Sequence, residues 1–92
     1  MRICIVEDEA AWRDKIKTVI EKYCMDKNIS AGIIVYGSGR DFMENADADL
    51  LFLDIELAEG EDGLEIAEQL MLLGSRCKIC FLTLHTEMAR LG

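Results

Sequence analysis

Residues 50–57 read LLFLDIEL, and this stretch decides the fold. Leu50, Leu51, Phe52 and Leu53 run without alternation into Asp54, and Ile55 and Leu57 carry the apolar character past it. An unalternated apolar run of this length marks a strand covered on both faces, as in a parallel sheet. A carboxylate near the end of such a strand is costly to bury unless something offsets its charge, so either the strand assignment is wrong or Asp54 has a task beyond packing.

The flanking sequence alternates strand-like and helix-like segments. Residues 2–6 (RICIV) are short, apolar and β-branched, and they stop at Glu7, Asp8 and Glu9. Trp12, Ile16, Val19, Ile20 and Tyr23 then recur at the spacing of one helix face. Residues 33–36 (IIVY) predict a second strand. Ser38 with Asp41 has the S-x-x-D form of a helix start, which predicts a short helix to about Ala46. After the third strand, residues 50–57, comes the acidic, Gly-containing loop AEGEDG. Leu64, Ala67, Leu70 and Met71 then mark a third helix closed by Gly74. Residues 78–84 predict a fourth strand, and residues 85–92 (HTEMARLG) read as the opening of a fourth helix. No linker or repeat interrupts residues 1–92, which read as a single domain.

Composition narrows the function. Ninety-two residues allow one small domain with a thin stability margin, and 51% hydrophobic content argues for a folded chain. A formal net charge of −8 leaves no basic patch, which disfavours direct contact with nucleic acid or an anionic membrane. No apolar run approaches the ~20 residues of a membrane span, and the N-terminus has no secretory apolar region, so the chain reads as cytoplasmic. Cys77 and Cys80 have the spacing of a redox or zinc pair. Residues three apart on a strand point to opposite faces, however, and the four cysteines read as reduced core residues. Gly37 and Gly39 open a helix as a dinucleotide motif would, but Phe42 stands where the third glycine belongs.

Strands alternating with helices imply right-handed crossovers and a parallel sheet, whose working residues collect at the carboxyl ends of the strands. Those ends carry Glu7 and Asp8 after the first strand, Asp54 on the third and Thr83 on the fourth. With the first strand between the second and third, these groups converge. Convergent carboxylates repel one another unless a cation offsets them, and hard oxygen donors suit Mg²⁺. A carboxylate beside Mg²⁺ can act as a nucleophile and form an aspartyl-phosphate. Asp54 is the candidate, and the Thr83 hydroxyl is placed to contact a phosphoryl oxygen.

The set IVEDE, LLFLDIEL, the loop ending at Asp62 and Gly63, and FLTLHTE resembles the receiver domain of two-component response regulators, most closely those joined to LytTR-type DNA-binding domains. The resemblance implies a flavodoxin-like, CheY-like α/β fold: a doubly wound parallel sheet of strand order 2-1-3-4, with the fifth strand and fifth helix missing after Gly92. It implies that Asp54 accepts a phosphoryl group from a sensor histidine kinase. Asp8 would bind Mg²⁺, Glu7 would help directly or through water, and the main-chain carbonyl of Glu56 would complete the ligands. Thr83 would take the switch position. The chain would be a phosphoacceptor with at most self-catalysed transfer and hydrolysis, not a turnover enzyme, and would relay its signal to a transcriptional output beyond this segment. Trp12 is either a kinase contact or a core residue.

The departures from the family bear on function. The lysine that meets the phosphoryl group lies on the missing fifth strand, and none of Lys15, Lys17, Lys22, Lys27 or Lys78 is placed to replace it. Ala58 stands where the family usually has proline, Gly63 comes one residue later than usual, and Leu84 replaces a small residue after the switch threonine. An unpaired fourth-strand edge predicts a homodimer through that edge. Two rivals remain: a degenerate receiver that serves as a phosphorylation-independent interaction module, and an aspartyl-phosphate phosphatase, which would need an aspartate where Glu56 stands.

Overall fold

The computed structural model describes residues 1–57, 60 and 62–82. Strand β1 (Arg2–Val6) leads into helix α1 (Ala10–Asp26), then β2 (Gly32–Tyr36), α2 (Gly39–Met43), β3 (Leu50–Asp54), α3 (Gly63–Leu72) and β4 (Lys78–Leu82). The four strands form one parallel sheet in the order β2-β1-β3-β4, as the alternating pattern predicts. Ala58, Thr83, Leu84 and the predicted fourth helix at residues 85–92 lie outside the described residues.

Strand side chains alternate between the two faces of the sheet. On one face Cys4, Val6, Leu51 and Leu53 are fully buried and pack with Phe42 of α2, Ile66 and Leu70 of α3, and Leu57. Phe42 meets Tyr36 edge to face at 5.6 Å, which ties α2 to β2. On the other face Ile3 and Ile5 are buried, and α1 contributes Ile16 and Cys24.

Several sequence expectations shift. The α1 stripe against the sheet is Trp12, Ile16, Ile20 and Cys24, at four-residue steps, whereas Val19 and Tyr23 are exposed. Val19 instead lines an apolar groove of about 300 Å³ with Trp12, Lys15, Ile16, Phe52 and Leu82. The short helix stops at Met43 rather than near Ala46, because the amides of Asn45 and Ala46 both turn back to the Phe42 carbonyl and Ala46 takes φ 42°. Strand β3 ends at Asp54 rather than residue 57. Beyond it Glu56 leaves the sheet to bridge Asp62, although Leu57 stays in the core. All four cysteines are free thiols, but only Cys4 and Cys24 are buried. Cys80 is exposed because β4 pairs, among the described residues, with β3 alone. No helix among the described residues is long and apolar enough to cross a membrane.

Candidate functional site

The parallel register brings the acids together. Val6 pairs with Leu53, so Glu7, the next residue, comes level with Asp54 at the carboxyl end of the sheet. The Glu7 amide donates to the Tyr36 carbonyl at 3.1 Å, which extends the β1–β2 ladder one residue beyond the strand. Glu7 and Asp54 are buried, at 6% and 3% exposure, and Asp8 is exposed. One oxygen from each of Glu7, Asp8 and Asp54 can lie within 4.8 Å of the others.

Local hydrogen bonds orient the two buried carboxylates. Glu7 Oε1 accepts from the Glu9 amide at 3.1 Å, and Asp54 Oδ1 accepts from the Glu56 amide at 3.2 Å. The Glu9 amide does not offset the effect of burial on Glu7. Burial pushes the Glu7 carboxyl up to about 7; the Glu9 amide opposes this, while a shared hydrogen bond and the charge of Asp54, together with Asp8, add to it. Burial therefore disfavours the ionised form of Glu7 unless a cation lies beside it. Three hard oxygen donors open to solvent on the Asp8 side fit a small divalent cation that retains water. A metal of that kind would restore Glu7 to its ionised form.

The loop after β3 is held against the acid. Asp62 caps α3, its Oδ1 accepting from the Leu64 amide at 2.9 Å, and the Gly63 amide donates to the Ile55 carbonyl at 2.8 Å. Gly63 is buried against the backbone of Asp54 and Ile55; a Cβ there would strike the Asp54 carbonyl oxygen and stand 2.9 Å from Ile55 Cα. Glycine is required by this close approach.

Of the candidate residues, Glu7, Asp8 and Asp54 converge, Glu56 flanks Asp54 through its amide, and Thr83 lies outside the described residues. Sequence reasoning missed Arg13, whose Nη1 donates to the Glu7 carbonyl at 2.9 Å. Nothing in its spacing distinguishes it from the other cations of α1. Gly63 was noted only for its position in the loop; the Asp-Gly pair opening a helix beside the acid was the available signal.

Residues 3–91 match the family described as "Response regulator receiver domain". Among solved structures, the chain is 30% identical to the N-terminal domain of a response regulator/sensory box/GGDEF three-domain protein from Carboxydothermus hydrogenoformans, with a TM-score of 0.77 over 94% of this chain. It is 26% identical to the response regulator TrrA from Thermotoga maritima, solved in complex with Mg²⁺ and BeF, with a TM-score of 0.76 over 97% of this chain. The response regulator MaeR, bound to beryllium trifluoride, shares the fold at 20% identity and a TM-score of 0.75 over 99% of this chain. The chain spans 66% of the first of these, just under two thirds, 74% of the second and 73% of the third. No curated protein matches the chain at a significant level.

Proposed function

The chain belongs to the family of response regulator receiver domains, and on that premise we propose that Asp54 is a phosphoacceptor supplied by a sensor histidine kinase. The observation that carries this reading is the convergence of Glu7, Asp8 and Asp54 at the carboxyl end of the sheet, with Glu7 and Asp54 buried and the Glu7 carboxyl pushed up chiefly by that burial.

A carboxylate oxygen of Asp54 attacks the phosphorus of a phosphohistidine. The P–O bond forms as the P–N bond breaks, and the leaving imidazole keeps the electron pair and takes up a proton from solvent. The Glu56 amide on Oδ1 fixes the carboxylate's rotation, so that attack comes from one direction. Glu7, Asp8, Asp54 and the Glu56 main-chain carbonyl would hold Mg²⁺, which when bound offsets charge on the phosphoryl oxygens. Thr83 would donate its hydroxyl to one of those oxygens. The chain acts as a cytoplasmic acceptor and relay rather than a turnover enzyme, and a transcriptional output, as in LytTR-linked members, is part of the same proposal.

Incubation with Mg²⁺ and a small phosphodonor is expected to add one phosphoryl mass to the intact protein. The adduct is expected to disappear in Asp54→Asn and to fall steeply in Asp8→Asn. No adduct on the wild type would favour a phosphorylation-independent interaction module, and steady turnover of phosphoesters would favour a phosphatase.

Self-association through the outer edge of β4 belongs to the proposal. That edge carries exposed Cys80 and Phe81, the latter 37% exposed, and Lys78 is its only charge. Light scattering at high micromolar concentration is expected to give a dimer mass that reverts to monomer in Phe81→Lys. A monomeric wild type at that concentration removes this element.

A further inference from the structure

We propose that Arg13 is the positioning residue of the carboxylate cluster, tying the end of β1 to α1 and so setting where Glu7 and Asp8 stand relative to Asp54. The inference rests on reading the cluster as a Mg²⁺ site.

Arg13 lies in the first turns of α1 and is half-buried. Its Nη1 donates to the Glu7 carbonyl at 2.9 Å, and a Cβ built on Gly37 would come within 3.3 Å of the same atom. The guanidinium thus lies close to the chain leaving β2 as well as to the chain leaving β1, and a Cβ on Gly37 would push it aside by a few tenths of an ångström. Among the described residues no carboxylate lies within ion-pair distance of Arg13, so its donor is directed at main chain rather than at an acid.

The hydrogen bonds around residues 7–9 close on themselves. The Arg13 amide donates to the Glu9 carbonyl at 2.9 Å, the Glu9 amide donates to Glu7 Oε1 at 3.1 Å, and the Arg13 side chain returns to the Glu7 carbonyl. Asp8 is the residue in the middle of this ring, and it is the exposed member of the cluster. The Glu7 amide is already engaged by Tyr36, so Arg13 supplies the second main-chain anchor of the residue that carries the buried carboxylate. Removing the side chain frees the Glu7 carbonyl and leaves the segment 7–9 held by the Glu7 amide on Tyr36, the Glu9 amide on Glu7 and the Arg13 main-chain amide on Glu9.

Charge and positioning make opposite predictions, which gives the test its sign. As a bare positive charge near a cation site, Arg13 opposes Mg²⁺, and its loss would tighten binding. As a positioning residue it favours Mg²⁺, and supporting groups of this kind are worth about 10-fold or more in metal affinity.

The experiment is calorimetric titration of the metal-free chain with MgCl₂, well below the unfolding midpoint of each variant. Arg13→Ala is expected to weaken Mg²⁺ binding by about 10-fold. Arg13→Lys, which keeps the charge and one donor, is expected to recover part of the loss, and Gly37→Ala, which displaces the guanidinium without removing it, to show a smaller one. In the absence of metal, the Glu9 amide is expected to exchange with solvent faster in Arg13→Ala, with the amides of α3 unchanged. Unchanged or tighter Mg²⁺ binding in Arg13→Ala overturns the proposal while leaving the cluster intact as a metal site, provided Asp8→Asn abolishes binding. A wild type that binds no Mg²⁺ overturns the metal reading and this inference with it.

Discussion

Gly63→Ala is expected to lower the thermal unfolding midpoint by roughly 10–20 °C, against the direction that helix propensity predicts. Gly63 is the first residue of α3, and alanine inside a helix is favoured over glycine by about 1 kcal/mol. The opposing effect is larger. The added Cβ would meet the carbonyl oxygen of Asp54 and the Cα of Ile55, which are backbone atoms at the end of a central strand and yield only if the strand or the helix shifts. Overpacking of this kind costs about 2–3 kcal/mol, and in a domain of this size each kcal/mol moves the midpoint by about 4–8 °C. The same shift displaces Asp54, so phosphoryl adduct formation is expected to fall with stability. Circular dichroism melts of Gly63→Ala beside Leu64→Ala check this, because Leu64 is the next residue and exposed. A midpoint for Gly63→Ala at or above wild type would show that the approach is not a tight one.

In EDTA at pH 8, Glu7→Gln is expected to be more stable than the wild type. The folded state pushes the Glu7 carboxyl from 4.5 up to about 7, chiefly by burial, so between those values the native chain binds more protons than the unfolded one. Stability from this group is therefore fully present below about 4.5 and is lost as pH rises through 7. At about 1.4 kcal/mol per pKa unit, and allowing for screening at the open side of the cluster, the loss is roughly 2 kcal/mol. Glutamine keeps the acceptor for the Glu9 amide, and its own amide is a donor toward Asp54, so it removes the charge with little change of shape. Added Mg²⁺ is expected to reverse the order, because a cation favours the ionised carboxylate that only the wild type offers. Urea titrations of both proteins at pH 5 and pH 8, with EDTA and then with Mg²⁺, measure each comparison. Parallel pH dependence of the two proteins in EDTA would remove Glu7 as the source of the effect.

Much of the fold was legible in the chain because its signals are local. The unalternated run at residues 2–6, the presence of a helix after residue 62 and the Ser38 cap each follow from backbone geometry within a few residues and appear as expected, although the buried face of α3 is Ile66 and Leu70 while Leu64 and Met71 are exposed. Where the reading slipped, the deciding partner was distant in sequence. Cys24 rather than Tyr23 faces the sheet because helix phase is set by the strands beneath it. Cys80 is exposed because β4 has a described neighbour on one side only. Strand β3 ends at Asp54, although apolar residues continue, because Glu56 finds a bridge partner in Asp62 across the loop.

The sequence by itself determined the residue types of the candidate site. A carboxylate at the end of a buried strand, and an acidic pair after another, are written in Glu7, Asp8 and Asp54, because an acid that ends an apolar strand is too costly to bury there incidentally. Their mutual geometry was decided only by tertiary structure. The β1–β3 register brings Glu7 level with Asp54, the contact at Gly63 fixes the loop behind the acid, and Arg13 closes the ring around residues 7–9. The physical reason is range: strand and helix patterns are set by neighbours a few residues apart, whereas a cluster of charges is set by the distance between chain segments that only the packed sheet brings together.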